Sequence, residues 1–229
     1  MDLMFPVTCV LCGAPGDHGL DLCSGCLRDL PGIDPCCARC ALPLPTEVSN
    51  PGKAVLCGAC QSRAPPFTVC QAAFRYEEPL PALIAGIKFR GRLNLLRLLG
   101  LLLARRLRET SADLPDAIVP VPLHPSRLRK RGYNQALELA RVVGRALAVP
   151  LDADCCARVL ATTPQADLDQ KARMKNMRGA FSAMERVDGL HLAVLDDVVT
   201  TGSTCNELAR TLRGAGAARV DVWAVARTP

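Results

Sequence analysis

The sequence predicts an α/β fold with a mainly parallel sheet, preceded by a small cysteine-rich module. Four Cys-x-x-Cys pairs lie before residue 73, in a stretch with many turn residues and little apolar periodicity. After residue 74, short apolar runs of the strand type alternate with longer runs of the helix type. That alternation is typical of a parallel sheet covered by helices. We therefore expect two domains, residues 1–73 and residues 74–229.

The elements of the second part follow from apolar runs and their end signals. The second predicted helix carries three arginines in residues 105–108, where cations suit the helix dipole. Gly214 ends the last predicted helix, and the apolar run of residues 192–195 is a predicted buried strand that ends in the pair Asp196-Asp197. The predicted helices are residues 80–87, 93–107, 134–147 and 206–213; the predicted strands are residues 117–121, 192–195 and 220–225, with a short strand after Gly179.

The cysteine pairs have metal-ligand spacing. A Cys-x-x-Cys turn lets two thiolates reach one ion at about 2.3 Å, and two such turns complete a tetrahedron. Ten residues separate the first two pairs and sixteen separate the last two, which predicts two closed sites and about two structural Zn²⁺ ions. Either Cys36 or Cys37 could open the third pair, and Cys37 keeps the two-residue spacer. The predicted ligands are Cys9, Cys12, Cys23, Cys26, Cys37, Cys40, Cys57 and Cys60.

Charge is divided unevenly along the chain. Residues 1–73 have a formal balance of −2, and residues 74–229 have a balance of +8. Eight thiolates and two Zn²⁺ would take the first part to −6, and nucleic-acid affinity rests mainly on Lys and Arg neutralising phosphates. We therefore expect any surface for single-stranded DNA on residues 74–229, although aromatic residues, at 3%, are scarce for a surface built on base stacking.

The most informative stretch is residues 194–204, VLDDVVTTGST. An apolar strand leads into two carboxylates, then into a short loop of Thr, Gly and Ser, then into a helix. In open α/β sheets, ligands bind beyond the carboxyl ends of the strands. Backbone N–H groups, hydroxyls and a helix N-terminus together hold a phosphate without a lysine. The two carboxylates suit ribose hydroxyls, or a Mg²⁺ ion reached through water.

Two further segments carry candidate anion ligands. Four positive charges fall within residues 127–131, one residue after the sequence VPLHP, and guanidinium groups match pyrophosphate oxygens two at a time. His124 could bond a phosphate oxygen or cap the loop. Residues 162–178 have no strong apolar period, which is typical of a lid that keeps water from a reacting sugar. The candidates are His124, Arg127, Arg129 and Arg131 on the pyrophosphate side and Lys171, Arg173, Lys175 and Arg178 in the lid.

Residues 194–204 resemble the signature with which type I phosphoribosyltransferases bind phosphoribosyl pyrophosphate (PRPP). Residues 87–92, 119–136 and 163–181, together with the cysteine pairs, are similar to the ComF family over nearly the whole chain. The resemblance implies a sheet of the type I phosphoribosyltransferase kind, a double zinc ribbon, a PRPP site with Mg²⁺ and a role in competence. The resemblance assigns ribose binding to Asp196 and Asp197, and 5′-phosphate binding to Thr200, Thr201, Gly202, Ser203 and Thr204.

Two functions stay open at this stage. One is Mg²⁺-dependent transfer of a phosphoribosyl group from PRPP, a glycosyltransferase reaction for which the sequence names neither an acceptor nor a catalytic base. The other is a non-catalytic, PRPP-responsive factor that handles single-stranded DNA or docks a DNA-uptake helicase.

The first residues of the sequence contain no basic n-region of a signal peptide, and polar residues interrupt the apolar run of residues 93–107. We therefore expect no transmembrane segment and a cytoplasmic location, with the inner membrane face reached only through partners.

Overall fold

The computed structural model describes residues 7–48, 54–160 and 177–229. Its centre is a four-stranded parallel sheet, and a two-stranded antiparallel hairpin lies beside it. The strands are β1 Cys70–Arg75, β2 Ala117–Pro120, β3 Cys156–Arg158, β4 Phe181–Ala183, β5 His191–Val199 and β6 Arg219–Arg227. The helices are α1 Ser24–Arg28, α2 Gly58–Ser62, α3 Leu80–Arg90, α4 Leu93–Thr110, α5 Pro125–Arg131, α6 Gln135–Leu147 and α7 Ser203–Gly214.

The strand order in the parallel sheet is β1–β6–β5–β2, and β3 pairs with β4 in the hairpin. Successive side chains of a strand point to opposite faces. In β5, Leu192 and Val194 pack on one face of the sheet, while Ala193 and Leu195 pack on the other. Helices α3, α4 and α6 cover the second face, and α7 and the hairpin cover the first. The predicted α/β fold with a mainly parallel sheet is confirmed.

Several elements begin or end away from their predicted bounds. Helix α6 begins after Asn134, whose side-chain oxygen accepts the Ala136 N–H at 3.0 Å as a helix cap. The sequence predicts that the strand of residues 192–195 ends in the pair Asp196-Asp197. This predicted end is wrong, because β5 runs on to Val199. It does so because Val199 still pairs with Arg227 of β6, a ladder that a local charge pattern cannot reveal.

The cysteine-rich part packs against both faces of the sheet. Cys9, Leu22 and Leu30 share a core with α3 and α4, and on the opposite face Ile33 and Phe67 share a core with α7. Since β1 already begins at residue 70, the predicted boundary at residue 73 falls inside a strand. The division into two domains stays a prediction.

Helix α4, with 18 residues, is the longest helix of the described ranges. It is interrupted by charged residues, and none of the helices that the structure describes meets the length and hydropathy needed to cross a bilayer.

Candidate functional site

A cavity of about 370 Å³ opens at the carboxyl ends of β2 and β5. Strand β5 leads into α7 on one face of the sheet, and β2 leads through α5 into α6 on the other face. Because the two connections leave in opposite directions, a crevice forms between them, which is where open α/β sheets bind ligands. Six residues of the predicted ribose and phosphate set line it: Asp196, Asp197, Thr200, Gly202, Ser203 and Thr204.

The two carboxylates in this cavity differ in their partners. Asp197 Oδ2 accepts an ion-paired hydrogen bond from Lys88 Nζ of α3 at 2.7 Å, and the two side chains are only 12% and 26% exposed. Burial acts to lower the pKa of Lys88, but Asp197 and Asp196 hold it above its usual value. Burial and the charge of Asp197 raise the pKa of Asp196 to about 7. The cavity therefore holds one charge-paired carboxylate and one carboxyl that titrates near neutral pH.

The loop of residues 200–204, which the sequence predicts to hold a phosphate and which we call the phosphate loop, turns sharply at Gly202. This glycine has a φ of +73°, in the left-handed region that favours glycine, and its carbonyl accepts the Asn206 N–H at 2.8 Å. Thr201 Oγ1 donates to Ser203 Oγ at 3.1 Å and accepts the Ser203 N–H at 3.4 Å. The hydroxyl of Thr201 therefore supports the loop, and this residue does not line the cavity, whereas the other four predicted phosphate residues do.

Helix α5 presents only part of its basic run to the cavity. Arg127 and Arg131 line the cavity, and Arg129 does not. Residues four apart share a face of a helix and residues two apart do not, which explains the difference. Arg131 Nη1 donates to the buried Gln135 Oε1 at 2.7 Å, so its guanidinium is held in place.

His124 caps α5 and does not line the cavity. Its Nδ1 lies 2.7 Å from Ser126 Oγ and accepts the Ser126 N–H at 3.3 Å. Of the two roles that the sequence left open for this side chain, the geometry fits the helix cap.

Arg158, at the end of β3, is a cavity residue that the sequence did not reveal. Its side chain lies over the Phe181 ring, 5.7 Å from the centroid, and donates to Met177 Sδ at 3.4 Å. Burial, and then the neighbouring charge of Arg127, lower the pKa of Arg158 to about 10. Three guanidinium groups thus line the cavity that also contains the two carboxylates.

Neither Arg158 nor Lys88 had a local signal that marked it as a ligand-site residue. Arg158 is a single arginine among apolar residues, with no motif around it. Lys88 lies in residues 87–92, a segment with a family resemblance but no assigned role. Tertiary packing alone brings both side chains to the cavity.

The predicted lid falls mostly on residues that the structure does not describe. Lys171, Arg173 and Lys175 lie outside the described residues. Arg178 is described, is exposed and does not line the cavity. The lid and its cations stay predictions.

The eight predicted metal ligands come together in two groups of four. Within each group, the ligand sulfur atoms all lie within 4.8 Å of one another. Two Sγ–Sγ distances, 3.7 Å for Cys12–Cys23 and 3.6 Å for Cys40–Cys57, match the edge of about 3.8 Å that a tetrahedron of 2.3 Å Zn–S bonds requires. The donors therefore fit Zn²⁺. The first cluster is Cys9, Cys12, Cys23 and Cys26; the second cluster is Cys37, Cys40, Cys57 and Cys60.

Backbone groups in both clusters favour the thiolate form of particular cysteines. Burial opposes this, but hydrogen bonds from backbone N–H groups lower the pKa of Cys9 to about 6 and that of Cys37 to about 7. The Cys57 N–H donates to Cys37 Sγ at 3.3 Å. Cys36 is outside the second cluster, and its thiol contacts Asp34 Oδ1 at 3.7 Å. The structure therefore selects Cys37 over Cys36.

Comparison with known proteins identifies the family. Residues 1–61 match the double zinc ribbon domain. The chain is 36% identical over 231 residues to the DNA utilization protein YhgH of Salmonella typhimurium, covering 99% of each chain. It is 35% identical over 213 residues to competence protein F of Haemophilus influenzae, covering 90% of each. The chain belongs to the ComF family.

The ComF-family assignment is consistent with the fold, and the double zinc ribbon match together with the two cysteine clusters supports structural zinc. Among solved structures, a glutamine PRPP amidotransferase of Bacillus subtilis, solved with ADP and GMP, is similar at 23% identity and a TM-score of 0.38. The match covers 56% of this chain and 25% of that one. Similarity at this level carries no argument about the ligand of the ComF-family site.

Proposed function

We propose that this ComF-family protein binds PRPP together with Mg²⁺ in the cavity at the carboxyl ends of β2 and β5. The observation that carries the proposal is the division of charge within one cavity: two adjacent carboxylates and a hydroxyl-rich loop share it with three guanidinium groups. PRPP has the matching parts, since it joins ribose hydroxyls to a 5′-phosphate on one side and to a pyrophosphate on the other.

Each part of the ligand has a chemical partner in the cavity. Asp196 and Asp197 would accept hydrogen bonds from the ribose hydroxyls, while Lys88 offsets the negative charge of the pair. The backbone N–H groups and hydroxyls of the phosphate loop, with the N-terminus of α7, would hold the 5′-phosphate. Arg127 and Arg131 would bind pyrophosphate oxygens, because planar guanidinium groups donate two hydrogen bonds at once. Arg158 adds a third such group.

The carboxylates also fit a role toward Mg²⁺. This ion keeps several of its waters and is held through one or two carboxylates plus substrate phosphates. Asp196 and Asp197 would contact it through water, and the bound ion would supply charge stabilisation to the departing pyrophosphate. The arginines would stabilise the same developing charge from fixed positions, which is the kind of electrostatic stabilisation that accelerates group transfer.

Titration calorimetry with PRPP, with and without Mg²⁺, tests the binding proposal on the full chain. Replacing both acids, Asp196→Asn with Asp197→Asn, should abolish detectable PRPP binding while the protein stays folded by circular dichroism. Asp154→Asn with Asp188→Asn is the matched control, because it changes the same formal charge at two exposed positions outside the cavity. Unchanged affinity in the first variant would contradict the ribose assignment.

Phosphoribosyl transfer and PRPP-responsive DNA handling are the two candidate uses of this site. Relatives named for DNA utilization and competence favour a DNA-linked role, and the +8 balance of residues 74–229 is compatible with polyanion binding.

A pyrophosphate-release assay separates phosphoribosyl transfer from PRPP-responsive DNA handling. The protein is incubated with PRPP, Mg²⁺ and either nucleobases or single-stranded DNA. Release above that of the double carboxylate variant supports transfer, whereas binding without release supports the non-catalytic role.

A further inference from the structure

Arg227, the last residue of β6, lies between the second cluster and the phosphate loop. Its side chain is buried, with the residue only 8% exposed. Its Nε donates to the carbonyl of Cys40, a predicted metal ligand, at 3.3 Å. Its Nη1 donates to the carbonyl of Val199 at 3.3 Å and also to that of Thr200, the first residue of the phosphate loop.

The same guanidinium also fixes the segment that follows β6. Nη1 donates to the Thr228 carbonyl at 2.6 Å, and Thr228 in turn donates its N–H and its hydroxyl to the Val199 carbonyl at 3.0 and 3.1 Å. Hydrogen bonds from a charged donor are shorter and stronger than neutral ones. A single buried cation therefore holds the end of β5, the start of the phosphate loop and one turn of the second cluster in a common arrangement.

The first cluster has no equivalent connection among its described contacts. Its part of the chain contacts α4, where Arg97 donates to the Gly19 carbonyl at 3.1 Å and lies 4.0 Å from Asp21. The two clusters thus offer an internal comparison, since each has four cysteines and, among the described residues, only the second shares a guanidinium with the phosphate loop.

We infer that Arg227 is a positioning residue that joins the second cluster to the phosphate loop, so that metal at the cluster and anion at the loop affect each other's binding. The anion half of this inference rests on the proposed function. Metal at the second cluster fixes the turn that contains the Cys40 carbonyl, and this carbonyl orients the guanidinium that holds Thr200. Coupling between binding sites is reciprocal: if metal improves anion affinity by some factor, the anion improves metal affinity by the same factor.

Hydrogen–deuterium exchange on the full, zinc-loaded chain tests the connection without measuring activity. Cys37→Ser disables the second cluster and Cys12→Ser disables the first. We expect Cys37→Ser to speed exchange in residues 199–206 by roughly fivefold or more, the lower end of typical coupling strengths, and Cys12→Ser to leave that segment near the wild-type rate. Equal exchange of residues 199–206 in the two variants would overturn the inference.

A second set of exchange measurements replaces Arg227 itself. In Arg227→Met, residues 199–206 should exchange fast whether or not the second cluster is intact. Arg213→Met is the matched control, an exposed arginine at the end of α7 that donates to the Ala218 carbonyl, and it should behave as wild type. If Arg227→Met loses protection in α6 and is thus unfolded, Arg227→Lys replaces it. A lysine keeps the charge but lacks the fork that reaches Cys40 and Thr200 together, so the cluster dependence should fall. If exchange of residues 199–206 in the folded variant depends on the second cluster as strongly as it does in wild type, the inference is contradicted.

Adding PRPP and Mg²⁺ separates failure of the inference from failure of the proposed function. In wild-type protein, PRPP should protect residues 199–206 and also residues 37–44, whereas in Arg227→Met it should protect only the former. If PRPP protects neither segment, the proposed function is wrong, and the comparison of Cys37→Ser with Cys12→Ser still decides the inference. Protection of residues 37–44 that persists in Arg227→Met shows that another route connects the two sites and excludes Arg227 as the connection.

Discussion

At the scale of single residues, the ion pair between Lys88 and Asp197 sets the chemistry of the cavity. Without Lys88, two adjacent carboxylates would repel each other at the end of a buried strand. Lys88 pairs with Asp197 at 2.7 Å and also acts to lower the pKa of Asp196, which burial and the charge of Asp197 raise to about 7. Lys88 therefore makes the acid pair compatible with a ligand that itself carries many negative charges.

Lys88→Met should weaken PRPP binding. The substitution leaves Asp197 buried without its cation, and hydrogen bonds to charged groups contribute about 1.5–3 kcal/mol, or roughly 10- to 160-fold in affinity. Calorimetric titration in the presence of Mg²⁺ measures the change. Lys130→Met removes the same charge from an exposed position of α5 outside the cavity and should bind as wild type. Equal affinity of both variants would mean that Lys88 has no part in the site.

The raised pKa of Asp196 predicts how stability depends on pH. The folded chain holds a proton on Asp196 up to a pH of about 7, whereas the unfolded chain releases it near the ordinary pKa of 3.8. Unfolding between these values releases a proton, so this carboxyl makes the free energy of unfolding fall as pH rises toward 7 and then level off. Asp196→Asn should lack this component. Urea unfolding of both proteins from pH 5.5 to pH 8 measures it, and parallel curves would contradict the assignment.

At the scale of elements, α5 shows how a helix sorts a run of like charges. The sequence contains four cations in residues 127–131, and the structure turns Arg127 and Arg131 to the cavity while Arg129 faces away. Arg131→Glu should therefore lower PRPP affinity by at least tenfold, since it removes one charge-assisted hydrogen-bonding group and adds a repulsive charge. Arg129→Glu, with the same charge change on the same helix, should lower it much less. Calorimetry on both variants decides between them.

The sequence predicts the elements of this fold well, and single residues of the site less well. Residues 194–204 and the cysteine pairs carry their chemistry in adjacent positions, so their spacing predicts both the acid pair and the two clusters. Lys88 and Arg158 come from α3 and β3, far apart in the chain, and reach the cavity only through packing. The predicted end of β5 falls four residues too early, because the last residues of this strand are held by pairing with β6 and not by an apolar pattern.

At the scale of the whole molecule, the cysteine-rich part and the sheet form a shared core. Cys9, Leu22 and Leu30 are buried against the helices of one face, and Asp34 pairs with Arg106 of α4 at 2.7 Å. Comparing isolated halves is therefore a poor way to locate a function, because each half would expose apolar surface that the other covers. Substitutions in the full chain are the better test.

Single-stranded DNA binding, if it depends on the cations of residues 74–229, should compete with PRPP. Arg127 and Arg131 cannot neutralise two polyanions at once, so saturating PRPP should weaken DNA binding. Changing both residues to Glu should lower the salt slope by about 0.7 for each DNA phosphate that the protein no longer neutralises. Fluorescence anisotropy at several salt concentrations measures both effects. If saturating PRPP does not change DNA affinity, or if Arg129→Glu lowers it as much as the double change at Arg127 and Arg131 does, the DNA surface lies elsewhere.

The strand order has a consequence for how the protein is made. Strand β6 lies between β1 and β5, yet it follows every other described strand along the chain. During translation, β1 cannot join the β5–β2 pair in one sheet until residues 219–227 have left the ribosome, because β6 lies between them. Chains that depend on such distant pairings fold slowly and expose strand edges while they wait. The nascent chain should thus be most open to aggregation late in synthesis, and ribosome-stalled chains ending before residue 219 should resist protease far less than chains that also contain β6.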